Sequence, residues 1–119
     1  TCLGQWPVQL RLVSPMAGFF DGADLLLAAD CSAFARGDFH ARYMKGKVTV
    51  IGCPKLDPVD YSEKLTEIFR LHNIRSVTLV RMEVPCCGGL ERAVQKALAA
   101  CGRPIPFESV TLSVRGEIL

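Results

Sequence analysis

The sequence predicts an α/β fold, a three-layer arrangement with a mostly parallel five-stranded sheet and helices on both faces. Three observations predict it. Short apolar runs alternate with amphipathic stretches along the whole chain. The run Ala23-Asp-Leu-Leu-Leu-Ala-Ala29 is continuous rather than alternating, as a strand buried on both faces reads. Cysteines stand directly after three of the runs, where an open parallel sheet carries its ligands.

The elements follow in order. Trp6-Pro-Val-Gln-Leu-Arg-Leu-Val13 alternates Val8, Leu10 and Leu12 with polar Gln9 and Arg11, so a half-covered first strand is expected, ended at Ser14-Pro15. Ala23 to Ala29 is the second strand and delivers Asp30-Cys31-Ser32. Ala33 to Met44 places Phe34, Tyr43 and Met44 on one helical face, with Gly37 weakening it. Lys47 to Gly52 is the third strand and delivers Cys53-Pro54-Lys55-Leu56-Asp57. Asp60 is a helix N-cap with Glu63 at capping-box spacing, and Tyr61, Leu65, Ile68 and Phe69 line one face up to a stop at Asn73. Ser76 to Val84 is the fourth strand. The third helix carries Leu90, Val94, Ala97, Leu98 and Cys101 on one stripe and ends at Gly102, with Pro104 beyond. Val110 to Val114 is the fifth strand, and Arg115-Gly116 turns the last residues back. This order of elements is Rossmann-like.

Composition narrows the function classes. A chain of 119 residues that is 50% apolar, with a net charge of +2, has the makings of one ordered domain. Lysines and arginines are scattered, without a basic run or interleaved aromatics, which argues against nucleic acid as a partner. No apolar run is long enough to span a bilayer, and no signal peptide is visible. A cytoplasmic setting is expected. The chain begins with Thr1 rather than Met, so a piece cut from a longer protein is expected. Six cysteines is an even number, but their positions are not those of a stapled, loop-rich scaffold. In a cytosolic protein such cysteines more often bind metal or do redox work.

The central stretch is Glu83-Val-Pro-Cys-Cys-Gly-Gly-Leu90. It reads as a strand end, a glycine-rich turn and a helix start, with two thiols at the turn. A cysteine at a helix N-terminus loses its proton more easily, and the thiolate is both nucleophile and metal ligand. Gly88 and Gly89 let the backbone close on an anion, a metal or a cluster sulfide. Parallel topology brings Cys31, Cys53, Cys86 and Cys87 to one edge of the sheet as candidate metal ligands. Such thiolates suit zinc or an iron–sulfur cluster. The plainer account, small buried hydrophobes, has to explain three separate strand ends that all carry cysteine; it suits Cys101, which completes an apolar stripe. His40 is a candidate further ligand or proton carrier, with helix packing as its plainer account. Asp30 is placed to cap the next segment or to support a ligand.

Other chemistries fit the same residues. Cys86 to Arg92 has the C-x₅-R spacing of cysteine phosphatases, in which loop N–H groups and the arginine hold phosphate and the thiolate attacks it. The adjacent Cys86 and Cys87 also allow thiol–disulfide chemistry through a strained vicinal disulfide.

Blocks of the sequence also carry a resemblance. They are Trp6-Pro-Val-Gln-Leu, Ala29-Asp30-Cys31, Phe39-His40, Ile51-Gly-Cys-Pro-Lys-Leu-Asp57, Tyr61 with Glu63-Lys-Leu-Thr-Glu67, and Arg81-Met-Glu-Val-Pro-Cys-Cys-Gly-Gly89. Together they resemble a domain of uncharacterised anaerobe proteins called iron–sulfur cluster-binding or 4Fe-4S ferredoxin-type proteins. In those proteins the domain follows a ferredoxin-like segment, which holds the usual cluster motifs and which this chain lacks. The resemblance implies an oxygen-poor redox setting, and a ferredoxin-like domain or redox protein as partner.

Overall fold

The computed structural model describes residues 1–119. Four strands form one sheet in the order β2-β1-β3-β4, and every pairing is parallel. They are β1 (Asp24–Ala29), β2 (Val48–Gly52), β3 (Ser76–Met82) and β4 (Phe107–Leu112). Leu25 to Ala29 of β1 are all buried, as the unbroken apolar run requires of a strand covered on both faces. The chain moves from β1 to β2 on one side, then crosses back to β3 on the other. The order therefore reverses beside β1, and ligands of open α/β sheets gather outside the strand ends at that place.

The expected first strand, Trp6 to Val13, is corrected to a single bridge between Gln9 and Ile51, which leaves four strands rather than five. Leu10 N–H donates to the Ile51 carbonyl, and Ile51 N–H donates to the Val8 carbonyl. Beyond that point the backbone turns, with Val13 N–H donating to Gln9. Lys64 braces that turn: its ammonium donates to the carbonyls of Leu10, Arg11 and Val13 at 2.9–3.0 Å, and of these the Leu10 carbonyl is the acceptor a longer ladder would have used. Burial of Lys64 pushes its amine down, and the Glu67 carboxylate acts the other way.

The strand expected over Val110 to Val114 is Phe107–Leu112. Ser113 to Gly116 then makes a turn, with Gly116 at φ +86°, and brings Ile118 back beside Leu112.

Helices α2 (Tyr61–Leu71) and α3 (Gly88–Ala100) pack on one another. Asp60 caps α2, accepting from Ser62 N–H at 3.0 Å, and Tyr61, Leu65, Ile68 and Phe69 are buried along it. The helix stops one residue before the expected Asn73 region, at His72, whose ring meets Asp21 and the Pro15 carbonyl. Leu90, Val94 and Ala97 form the buried stripe of α3, and Gly102 takes φ +78° just past its end. The helix expected over Ala33 to Met44 is corrected to two short turns, α1 (Ser32–Ala35) and a separate turn at His40–Met44. The break falls at Arg36 and Gly37. Arg36 leaves the helical conformation and bonds Asp38 and the Gly116 carbonyl instead.

Candidate thiol site

Strand register sets the site. Ala29 of β1 lies level with Gly52 of β2, Ala28 with Val80 of β3, and Met82 with Leu112 of β4. The residues just past these levels therefore emerge together along one edge. A pocket of about 400 Å³ opens there. Asp30 and Cys31 reach it from β1, Cys53 from β2, Val84, Cys86 and Cys87 from β3, and Val114 from beyond β4. All four cysteines singled out from the sequence line this pocket. The rest of the wall is apolar and includes Ala29, Phe34 and Met82.

The thiols differ in their surroundings. All six cysteines are free; Cys31 and Cys86 are exposed, Cys53 is half-buried and Cys87 is buried. Burial pushes the Cys87 thiol up. A backbone hydrogen bond at Met82 lowers it, and the neighbouring Cys86 and Cys53 raise it again. Cys87 is thus held towards its neutral thiol unless a cation stands beside it. No three or more His, Cys, Asp or Glu side chains form a group that could hold a metal ion in this structure.

The loop that carries Cys53 is clamped from two sides. Cys53 N–H donates to the Tyr61 hydroxyl at 2.9 Å, and that hydroxyl donates to the Asp57 carboxylate. Leu56 and Asp57 N–H groups both return to the Cys53 carbonyl. Burial, then the Asp57 carboxylate, push the Tyr61 phenol far above its usual range, so it stays a neutral donor. A Cβ at Gly52 would stand 2.9 Å from the Tyr61 ring, so the glycine makes room for this clamp. On the other side, a Cβ at Gly89 would meet Pro54 at 3.1 Å. Tyr61 shows in sequence only as the start of an apolar helical face, and its polar role was not legible there.

The two glycines expected to close on a ligand are closely covered by the chain itself. Pro54 approaches Gly89, and the Arg92 guanidinium stands 3.1 Å from a Cβ placed at Gly88. Arg92 also shares a second groove with Cys86 and Lys55. Neither cation is salt-bridged to an acid. The backbone between them is a helical turn rather than a cradle. Cys87 N–H goes to Val84 and Gly88 N–H to Pro85, so these donors are engaged.

His40 is not brought to the pocket. Its Nδ1 accepts from Cys2 N–H at 3.1 Å, and the Thr1 hydroxyl lies 3.5 Å away. Cys101 is buried, and its thiol meets the carbonyls of Leu98 and Arg103. Asp30 lines the pocket, and its Oδ1 is buried with no hydrogen-bond partner. Burial raises its carboxyl, a hydrogen bond from the Gln9 side chain to the carboxylate lowers it, and the Asp57 charge raises it again. No helix is long and apolar enough to cross a membrane.

Comparison with known proteins agrees with this architecture. The model of a Rossmann-like domain family matches residues 17–119. The chain is 35% identical over 115 residues to an uncharacterised protein of Archaeoglobus fulgidus, covering 96% of this chain and 81% of the relative. No solved structure matches it. From the four-stranded parallel sheet and the match over most of its length, the chain belongs to the family of Rossmann-like domains.

Proposed function

We propose that this domain is a redox module whose cysteine pocket holds a thiolate-ligated metal centre, an iron–sulfur cluster of the 4Fe-4S type or a zinc ion. One observation carries the reading: four free cysteines from three strand ends line a single pocket. The fold by itself assigns no ligand. The loop after β1, Asp30-Cys31-Ser32-Ala33, has no glycine and so lacks the phosphate-binding fingerprint of dinucleotide sites.

The donor types suit such a centre, although in this structure no three of them form a group that could hold a metal ion. Thiolates are the preferred ligands of iron–sulfur clusters and of structural zinc. The buried Oδ1 of Asp30 and the raised Cys87 thiol are both features that a cation would relieve. Cys31, Cys53, Cys86 and Cys87 would hold the centre; His40, lying elsewhere, would not. A bound cluster supplies an electron at a potential set by its surroundings. The chain's own part is to fix Cys53 through Tyr61, to exclude water with Phe34, Met82, Val84 and Val114, and to set the local dielectric. In this reading the short turns at Ser32–Ala35 and His40–Met44 serve as the second covering layer of the sheet. The partner is a ferredoxin-like domain or another redox protein, in the cytoplasm.

Anaerobic purification and reconstitution, with metal and sulfide analysis and visible absorption, tests the reading. Bound metal with absorption from thiolate ligation is expected. Metal-free protein with four freely titrating thiols after reconstitution would sink it.

A second reading has its own observation. The exposed thiol of Cys86 shares a groove with Arg92 and Lys55, as a thiol enzyme acting on an anionic substrate requires. Against it stand the engaged N–H groups of Cys87 and Gly88. Turnover of a phosphoryl or disulfide substrate that vanishes in Cys86→Ser but survives in Cys31→Ser would favour it over the metal centre.

A further inference from the structure

We propose that Cys86 exchanges with a small anionic disulfide held by Lys55 and Arg92, and that Cys53 is the second thiol that completes the exchange. This rests on the reading of Cys86 as the thiol of an enzyme with an anionic substrate, and deepens it by naming the substrate class.

Cys86 stands on the wall between two hollows. On one side lies the pocket that it shares with Cys53. On the other lies a groove of about 390 Å³, where it meets Lys55 and Arg92. Both cations are exposed, and neither is salt-bridged to an acid, so both can meet the carboxylates of a ligand. Phosphoryl transfer to a thiolate needs free N–H groups around the transferred oxygens. Here Cys87 N–H goes to Val84 and Gly88 N–H to Pro85. Disulfide exchange asks for no such cradle. It needs one accessible sulfur and a second thiol within reach. Cys86 is exposed and supplies the first. A pair of thiols suffices, whereas a metal centre would need a larger group of donors than the chain assembles.

Cys53 is the second thiol best placed. Pro54 and Lys55, which follow it, line the groove beside Cys86. Pro54 also packs on Gly89, with 3.1 Å between its ring and a Cβ placed there. The Cys53 loop thus lies against the turn that carries Cys86. No residue next to Cys31 lines that groove. Cys87 adjoins Cys86, but Pro85–Cys87 is a helical turn that a vicinal disulfide would strain.

In the first step the Cys86 thiolate attacks one sulfur of the substrate. A mixed disulfide forms and the substrate S–S bond breaks. The first thiolate leaves with the electron pair and takes a proton from water. In the second step Cys53, its proton passed to solvent, attacks the Cys86 sulfur and expels the other substrate thiolate. Two protein thiols are oxidised to one disulfide, and one substrate disulfide is reduced to two thiols. Excess substrate thiol reverses both steps.

The test follows the reduced chain by intact-mass and peptide mass spectrometry with three reagents. They are glutathione disulfide, which is anionic, bis(hydroxyethyl) disulfide, which is uncharged, and cystamine, which is cationic. Measured against each reagent's rate with a small free thiol, the unaltered chain is expected to prefer glutathione disulfide. Replacing both Lys55→Ala and Arg92→Ala should lower that preference about tenfold and leave the rate with the uncharged reagent in place. Cys53→Ser and Cys53→Ala should each accumulate a glutathione adduct at Cys86, where the unaltered chain ends in a disulfide between Cys53 and Cys86. A lasting Cys86 adduct in the unaltered chain, a disulfide from Cys86 to another cysteine, or a preference unmoved by loss of both cations would overturn the inference. If Cys86 ignores all three reagents but is required for hydrolysis of an aryl phosphate, the inference fails while the thiol-enzyme reading stands. If Cys86→Ser alters neither reaction, both fail.

Discussion

Gly52 is followed directly by Cys53, and replacing it tests how that thiol is held in place. A Cβ at residue 52 would lie 2.9 Å from both Cζ and Oη of Tyr61 and 3.3 Å from Cε2. The ring cannot yield freely. Its hydroxyl donates to Asp57 and accepts from Cys53 N–H, and the residue is buried. Gly52→Ala therefore overpacks a tight contact, which typically costs about 1–3 kcal/mol. Displacing the hydroxyl forfeits two hydrogen bonds worth about 1 kcal/mol each. Alanine returns about 0.5–1 kcal/mol through reduced freedom of the unfolded chain. The net loss is thus roughly 2–4 kcal/mol. Urea unfolding of Gly52→Ala, Tyr61→Ala and the double variant measures it as a cycle. Once the ring is gone, the same alanine should cost under about 1 kcal/mol. Alkylation of Cys53 should speed up in Gly52→Ala, because its loop loses the Tyr61 anchor. A Gly52→Ala chain within about 0.5 kcal/mol of the original, or a cycle with no coupling, would refute the clamp.

Three further perturbations follow. Leu79 is fully buried in the central strand β3, so Leu79→Ala should lower unfolding stability by about 2–5 kcal/mol, read from urea melts. Hydrogen bonds from the Ser62 side chain and backbone hold the Asp60 carboxyl below its usual range. A carboxyl depressed by folding contributes stability above its unfolded pKa, and that stability is lost as pH falls through the lower folded value. Asp60→Ala should therefore be less stable at neutral pH and lose less between neutral pH and acid, which thermal melts along a pH series would show. Arg92 is exposed and not salt-bridged to an acid, so Arg92→Ala should leave stability within about 0.5 kcal/mol of the original. It should still slow the reaction of Cys86 with an anionic thiol reagent more than with a neutral one, because it removes a cation from their shared groove.

The parts of the fold that were legible in sequence are those where one local pattern decides the outcome. The continuous run at β1, the Asp60 N-cap and most of the apolar stripe of α3 formed as read; Asp60 accepts from Ser62 N–H without a capping box to Glu63, and Leu98 is only half-buried. The Trp6 to Val13 segment misled because its alternation is compatible with an edge strand. Past Gln9 the chain turns instead of pairing, and the carbonyls of that turn are held by Lys64, more than fifty residues away. In Ala33 to Met44 the apolar spacing was visible. The capture of Arg36 by Asp38 and Gly116 was not, since Gly116 comes from the far end of the chain.

At the site, topology made the gathering of four cysteines legible, because parallel strands bring their ends to one edge. Finer geometry was out of reach. Gly88 and Gly89 looked like open backbone, yet Pro54 and Arg92 approach them. His40 read as a candidate ligand or, more plainly, a helix packing residue; it lies away from the pocket and accepts from the N-terminal Cys2 N–H. Tyr61 read as core, and only its hydroxyl partners reveal that it positions Cys53.

The most direct measurement of the central claim is mass-spectrometric mapping of cysteine alkylation, before and after anaerobic loading with iron and sulfide or with zinc. The account predicts that Cys31, Cys53, Cys86 and Cys87 become protected together on loading, while Cys2 keeps its reactivity. Exposed Cys31 and Cys86 that are alkylated as fast after loading as before would contradict it.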